Sequence, residues 1–245
     1  MLIFLASTAI LVLFGLAVMT NASIPMSQSK HGESFYYLKH QIIYGAGLGL
    51  LAFFLCSRFN HNRLKKLALP FLLLTVILLI LVFVPQIGYR SGGANRWINV
   101  FNFSFQPSEF AKLAIIIYLA SWLESKKDKI KNTALLVPFL FWLGLIGGLV
   151  LMEPDMGTFL IICAVALGMY FAAGAKIKTL AALFLVGVVA LGALIAVEPY
   201  RRQRFTSFLN PNADTSGQGY QLNQALITVG SGGVFGLGLG KGIQK

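Results

Sequence analysis

The chain has 245 residues, 57% hydrophobic and only 11% charged, with a formal net charge of +12 and a mean hydropathy of +0.75. A soluble globular domain carries about 25% charged residues. This chain lacks the charge to coat a water-facing surface, which excludes an ordinary cytosolic enzyme, a disordered chain, a disulfide scaffold and a nucleic-acid module.

The apolar residues fall in runs of ~16–20, the length at which a helix crosses a bilayer. Seven membrane spans are predicted, over residues 2–20, 41–57, 67–84, 108–123, 133–151, 158–174 and 179–197, and a glycine-rich apolar stretch from about residue 225 begins an eighth. The fold class expected is all-α, a polytopic membrane helical bundle forming one integral-membrane domain over 1–245. The first run has no basic segment before it and exceeds the usual apolar length of a signal peptide, so it reads as an uncleaved first helix. Cys56 and Cys163 both lie inside apolar runs, which indicates neither a disulfide framework nor a zinc site.

Alternate connections separate by charge. Arg58, Arg63, Lys65 and Lys66 fill one, Lys126, Lys127, Lys129 and Lys131 another, and Lys176 and Lys178 a third, against only Glu124 and Asp128. The positive-inside rule makes these cytoplasmic and puts the N-terminus inside. Most of the positive charge is thereby assigned to orientation and to anionic membrane lipids, with no nucleic acid required. The opposite connections, 21–40, 85–107, 152–157 and 198–224, hold in them or at their edges Glu33, Glu109, Glu153, Asp155, Glu198 and Asp214 together with Arg90, Arg96, Arg201, Arg202 and Arg204. Arginines on that face run against the topological bias. They read either as solvated charges or as an outer anion site with guanidinium ligands for phosphate.

The densest constellation is Gly92-Gly93-Ala94-Asn95-Arg96-Trp97-Ile98-Asn99, followed by Phe105-Gln106-Pro107-Ser108-Glu109-Phe110-Ala111-Lys112. Pro107 suits the first turn of a helix, Glu109 then favours the helix dipole, and Lys112 follows at i+3. Lys112 either snorkels to the interface or faces the bundle interior, and the alignment of Gln106, Glu109 and Lys112 on one side favours the interior. In Glu153-Pro154-Asp155-Met156-Gly157-Thr158, Asp155 caps the next helix, faces Arg96 or Lys112, or binds a divalent cation shared with a phosphate. The last outer connection carries Arg201, Arg202, Arg204, Asp214 and Gln221 on a polar, aromatic-rich segment. The glycine-rich run 230–242 fails the P-loop pattern because residue 235 is Phe and residue 242 is Gly. His31, His40 and His61 are scattered, and none suggests a nucleophile triad or a metal site.

Three segments, GGANRWINVFNFSFQPSEFAKL (92–113), EPDMGT (153–158) and RFTSFLNPNADTSGQGYQLNQALITVGSGGVFGLGLGKGIQK (204–245), resemble the SEDS family of bacterial division, elongation and sporulation proteins. The ending is closer to the division branch. The resemblance implies a ten-helix protein of the bacterial cytoplasmic (inner) membrane, with its active face outside. It implies a peptidoglycan glycosyltransferase that polymerises lipid II alongside a class B penicillin-binding protein. Roles as a lipid II flippase or a divisome scaffold are the alternatives. By motif, Arg96, Gln106, Glu109 and Lys112 would line the substrate cavity, with Asp155, Arg204, Asp214 and Gln221 around it. No cofactor is implied beyond the optional divalent cation.

The family pattern continues past the glycine-rich run to a Leu-Pro-Glu motif and an aspartate held to be catalytic, so the catalytic residue lies beyond Lys245. The chain then corresponds to the N-terminal two thirds of such an enzyme. The expectation is that the 245-residue polypeptide, given labelled lipid II and its partner, forms no glycan polymer. Polymer on a gel would refute it.

Overall fold

The computed structural model describes residues 2–58, 60–91, 94–100, 103–209, 220–234 and 236–238. It divides into two compact units, residues 1–58 with 189–245, and residues 59–188.

The first unit begins with α1 (Leu2–His31), which runs well past the predicted end at residue 20 and carries Pro25 inside it. Its polar last turns are stabilised locally. The Ser27 hydroxyl, fully buried, donates to the Glu33 carbonyl at 2.6 Å and accepts from the Tyr36 amide at 3.1 Å. That closes the turn into α2 (Tyr36–His40), a π-helical stretch (Gln41–Gly47) and α3 (Leu48–Ser57), one continuous helical run. The remainder of this unit is the end of α8 (Ile177–Val197), with α9 (Pro199–Leu209) and α10 (Tyr220–Gly232). The stretch read as an outer loop, 198–224, is thus helical at both ends among the described residues.

The second unit holds α4 (His61–Leu81), strands β1 (Gly88–Ser91), β2 (Ala94–Val100) and β3 (Phe103–Phe105), then α5 (Pro107–Ser125), α6 (Leu136–Met152), α7 (Met156–Ala172) and the start of α8. Asn60 caps α4 by accepting from the Asn62 amide, so Arg63, Lys65 and Lys66 lie on the first turns of that helix rather than in a loop. Four-residue spacing builds the core. Ala111, Ile115 and Leu119 on α5 meet Ile162, Ala166 and Tyr170 on α7, with Leu72, Leu79, Phe139 and Ile146 packed into the same cluster. Phe139 stacks on Tyr170 at 4.7 Å between centroids. Outward faces are apolar too: Phe141 is 60% exposed and Val186 is 65% exposed. Such outward apolar faces suit helices set in lipid.

Each of the seven predicted spans coincides with a helix. Among the described residues, five helices are long and apolar enough to cross a membrane: Leu2–His31, Tyr36–Ser57, Asn62–Leu81, Thr133–Met152 and Ile177–Val197. The other two are α5, which carries Glu109, Lys112 and Glu124, and α7, which has 17 residues. Within the segment 85–107, expected as a loop, the strands Gly88–Ser91, Ala94–Val100 and Phe103–Phe105 instead form an antiparallel sheet in the order β1-β2-β3. Alternation there is short and interrupted, so it carries no clear strand period. The sheet leaves α4 through a turn that admits only glycine at its start, since a Cβ on Gly88 would lie 1.9 Å from the Val82 carbonyl oxygen.

Close packing of α6 on α7 depends on Gly147, where a Cβ would come 2.8 Å from the Phe159 ring, whereas Gly148 faces open space. Gly147→Ala should therefore lower the melting temperature. Gly148→Ala should leave it unchanged or raise it, since helix propensity adds up to about 1 kcal/mol of stability. Equal melting temperatures for the two variants would contradict this packing.

Candidate functional site

The starts of α5 and α7, the end of α6 and the sheet meet at one end of the second unit. β1 and β2 pair Tyr89 with Trp97 but Arg90 with Asn95. The register skips Arg96, which therefore sits in a bulge. Bulges re-aim side chains, and this one sends the guanidinium to the α6–α7 turn. Arg96 Nε donates to the Glu153 carbonyl at 2.9 Å, and a terminal guanidinium nitrogen donates to the Pro154 carbonyl. The planar fork suits two neighbouring carbonyls as it suits a carboxylate.

Asp155 caps α7, the first of the three expectations for it. Its Oδ1 accepts from the Thr158 amide at 3.1 Å and its Oδ2 from the Thr158 hydroxyl at 2.9 Å. Oδ2 also accepts from Gln106 Nε2 at 3.2 Å. Gln106 stands just before α5 and donates as well to the Ser108 hydroxyl at 2.9 Å. One amide thus ties the start of α5 to the start of α7. A divalent ion at Asp155 would have to displace these donors, and no group of three or more His, Cys, Asp or Glu side chains gathers among the described residues. This donor set does not fit a divalent ion.

Beside this layer, Lys112 Nζ lies 2.8 Å from Glu109 Oε1, one turn down α5. The lysine side chain is 28% exposed against 57% for the glutamate, so Lys112 leans back along the flank of the helix toward its start. Lys112 therefore neither reaches the buried face, which Ser108, Ala111, Ala114 and Ile115 occupy, nor stands wholly in solvent.

Glu153 and Ser108 were not singled out as site residues. Both are completely buried. Neither carboxylate oxygen of Glu153 has a hydrogen-bond partner among the described residues. Burial, aided by the nearby Asp155 charge and opposed by Arg96, pushes the carboxyl up to about 8 from an ordinary 4.5. The signal in the sequence was slight: a glutamate directly ending an apolar run. Arg204 and Gln221 belong to α9 and α10, but their side chains, together with Gly92, Gly93 and all of Asp214, lie outside the described residues.

A long-helix membrane chain with a hydrogen-bonded polar layer at one end of its second unit is a multi-pass membrane protein of the polytopic helical class. Comparison with known proteins defines it further. The family model for FtsW, RodA and SpoVE, described as cell cycle protein, matches residues 1–245, and the chain belongs to that family. It is 39% identical over its whole length to a probable peptidoglycan glycosyltransferase FtsW of Geobacter sp. (strain M18), covering 66% of that protein. It is 36% identical over 97% of its length to stage V sporulation protein E of Bacillus subtilis (strain 168), covering 65% of it. The chain thus spans about two thirds of the length of the curated relatives it matches.

Among solved structures, one of a peptidoglycan synthase complex that coordinates polymerization and crosslinking matches with a TM-score of 0.63. Identity is 31%, over 90% of this chain and 66% of that one. The rod shape determining protein RodA of Thermus thermophilus matches with a TM-score of 0.57. Identity is 30%, over 74% of this chain and 58% of that one.

The buried Glu153 makes stability depend on pH with a definite sign. Its folded value is raised, so the folded state holds a proton that the unfolded state has lost between about 4.5 and 8. Stability from this group is complete below that window and falls as pH rises through it. The melting temperature should decline from pH 5 to 8, and Glu153→Gln, which cannot ionise, should flatten the slope whatever its absolute level. An unchanged slope in the variant would remove Glu153 as the cause.

Proposed function

We propose that the protein is a peptidoglycan glycosyltransferase, nearest the FtsW branch, that polymerises lipid II at the outer face of the bacterial cytoplasmic membrane. The N-terminus lies inside, residues 1–245 form one integral-membrane domain, and a class B penicillin-binding protein is the partner. The observation that carries this reading is the polar layer of Gln106, Ser108, Asp155 and Thr158, with Glu109 and Lys112 beside it. It stands at the end of α5 opposite the lysine-rich loop.

In this reaction a sugar hydroxyl of one lipid II attacks the anomeric carbon of another. A new C–O bond forms and the undecaprenyl pyrophosphate leaves. The leaving group gathers negative charge, and a fixed cation there lowers the barrier. Lys112 is the cation suited to it, a compact charge already turned toward the helix start. Glu109 holds the ammonium in place, and Gln106 and Asp155 form the wall beside it. The role of Arg96 changes from the expected phosphate ligand: two of its nitrogens are engaged by main-chain carbonyls, so it positions the α6–α7 turn. Arg204, Asp214 and Gln221 are proposed as further substrate contacts on the family resemblance alone.

In the full-length protein that carries these residues, Lys112→Ala should reduce polymerisation of labelled lipid II roughly 100-fold or more, while partner binding and the melting temperature stay as in the parent. Arg96→Ala should lower activity and melting temperature together, since it releases the turn. Lys65→Ala, which breaks an exposed pair with Glu124 at the other end, should change neither much. Full polymerisation by the Lys112 variant would remove this site assignment.

A further inference from the structure

At the end of the second unit away from the polar layer, a cleft of about 280 Å3 opens between the last turns of α5 and α7. Two helical stripes face each other across it. On α5 and its continuation the stripe is Ala120, Leu123, Glu124 and Lys127, and on α7 it is Met169, Ala172 and Ala173. Both follow the three- and four-residue spacing of one helix face. The cleft exists because alanines stand where larger side chains would have filled the space. Its wall is apolar, and its rim is charged.

The sign of that rim is fixed by pairing. Glu124 is neutralised by Lys65 at 3.0 Å. Lys127 forms no ion pair among the described residues and stands exposed beside Lys126 and Lys129. Ile130, 5% exposed and part of the core, pins this lysine-bearing loop to the end of the bundle. A hydrocarbon slot at the end of a membrane helix, with an unpaired ammonium at its mouth, matches one molecule: a lipid with an acyl chain and a negative headgroup.

We propose that this cleft binds one acyl chain of an anionic phospholipid whose headgroup phosphate is held by Lys127 and its neighbouring lysines. The site is independent of whatever reaction the opposite end performs. The lipid would splint α5 to α7 at the end where Ala120, Ala172 and Ala173 leave space between them.

Retention of lipid can be read by native mass spectrometry of the protein extracted from vesicles of equimolar phosphatidylglycerol and phosphatidylcholine. The protein should retain phosphatidylglycerol preferentially, and added inorganic phosphate should not displace it, which separates a lipid from a free anion. Lys127→Gln, a change at an exposed residue, should cut the preference roughly fivefold. Ala172→Leu, which fills the cleft with every lysine in place, should abolish retention while helical content by circular dichroism stays constant. Equal retention of the two lipids, or unchanged phosphatidylglycerol retention in Ala172→Leu, would overturn the proposal. So would displacement by phosphate, or a protein dimer in place of bound lipid.

Discussion

The grip of Arg96 on the carbonyls of Glu153 and Pro154 is the contact on which the polar end of the second unit depends. These carbonyls lie in the turn just past α6, where they have no partner in the helix ladder. A guanidinium supplies two charged donors at once. Because the donor comes from a bulge in β2, the contact also fastens the sheet to the turn between α6 and α7. Without it a three-stranded sheet has little to hold it, since so small a sheet needs packing against another element. Asp155 begins the next helix directly beyond the gripped carbonyls, so its cap, and through Gln106 the start of α5, inherit that geometry.

Beneath the grip lies Glu153, buried without a hydrogen bond. Burying a charged carboxylate is costly, and the group responds by keeping its proton. A neutral Glu153 leaves Asp155 as the charged carboxylate of the turn, and three donors surround that charge. The two acids of one short turn thus play different parts, one apolar filler in effect, the other a cap. Lys112 and Glu109 stand outside this layer on the flank of α5, with access that the buried groups lack. The polar end thus divides into a rigid, hydrogen-bonded frame and a partly exposed ion pair on the flank of α5.

Much of this was legible in order along the chain. Apolar runs located every long helix, because a bilayer-length run has few other uses. Pro107 and Glu109 announced the start of α5, and Asp155 with Thr158 announced a cap, because these signals act within one helical turn. The extension of α1 to His31 was missed because polar residues such as Asn21 and Ser27 look like loop, yet Ser27 finds both its partners in the following turn. The sheet was missed because its strands span only 4, 7 and 3 residues and its register is broken at Arg96, which hides the two-residue period.

Sequence alone determined that this protein lives in a membrane, that lysines gather in alternate connections between its helices, and which polar residues cluster near the start of α5 and α7. Those properties rest on composition and on spacing within single elements. Only the tertiary structure decided what the polar residues touch: that Arg96 holds main chain, that Gln106 joins two helices through Asp155, that Glu153 is buried, and that a cleft opens among alanines at the far end. These contacts join residues about fifty positions apart, and at that separation the chain carries no local signal of who meets whom.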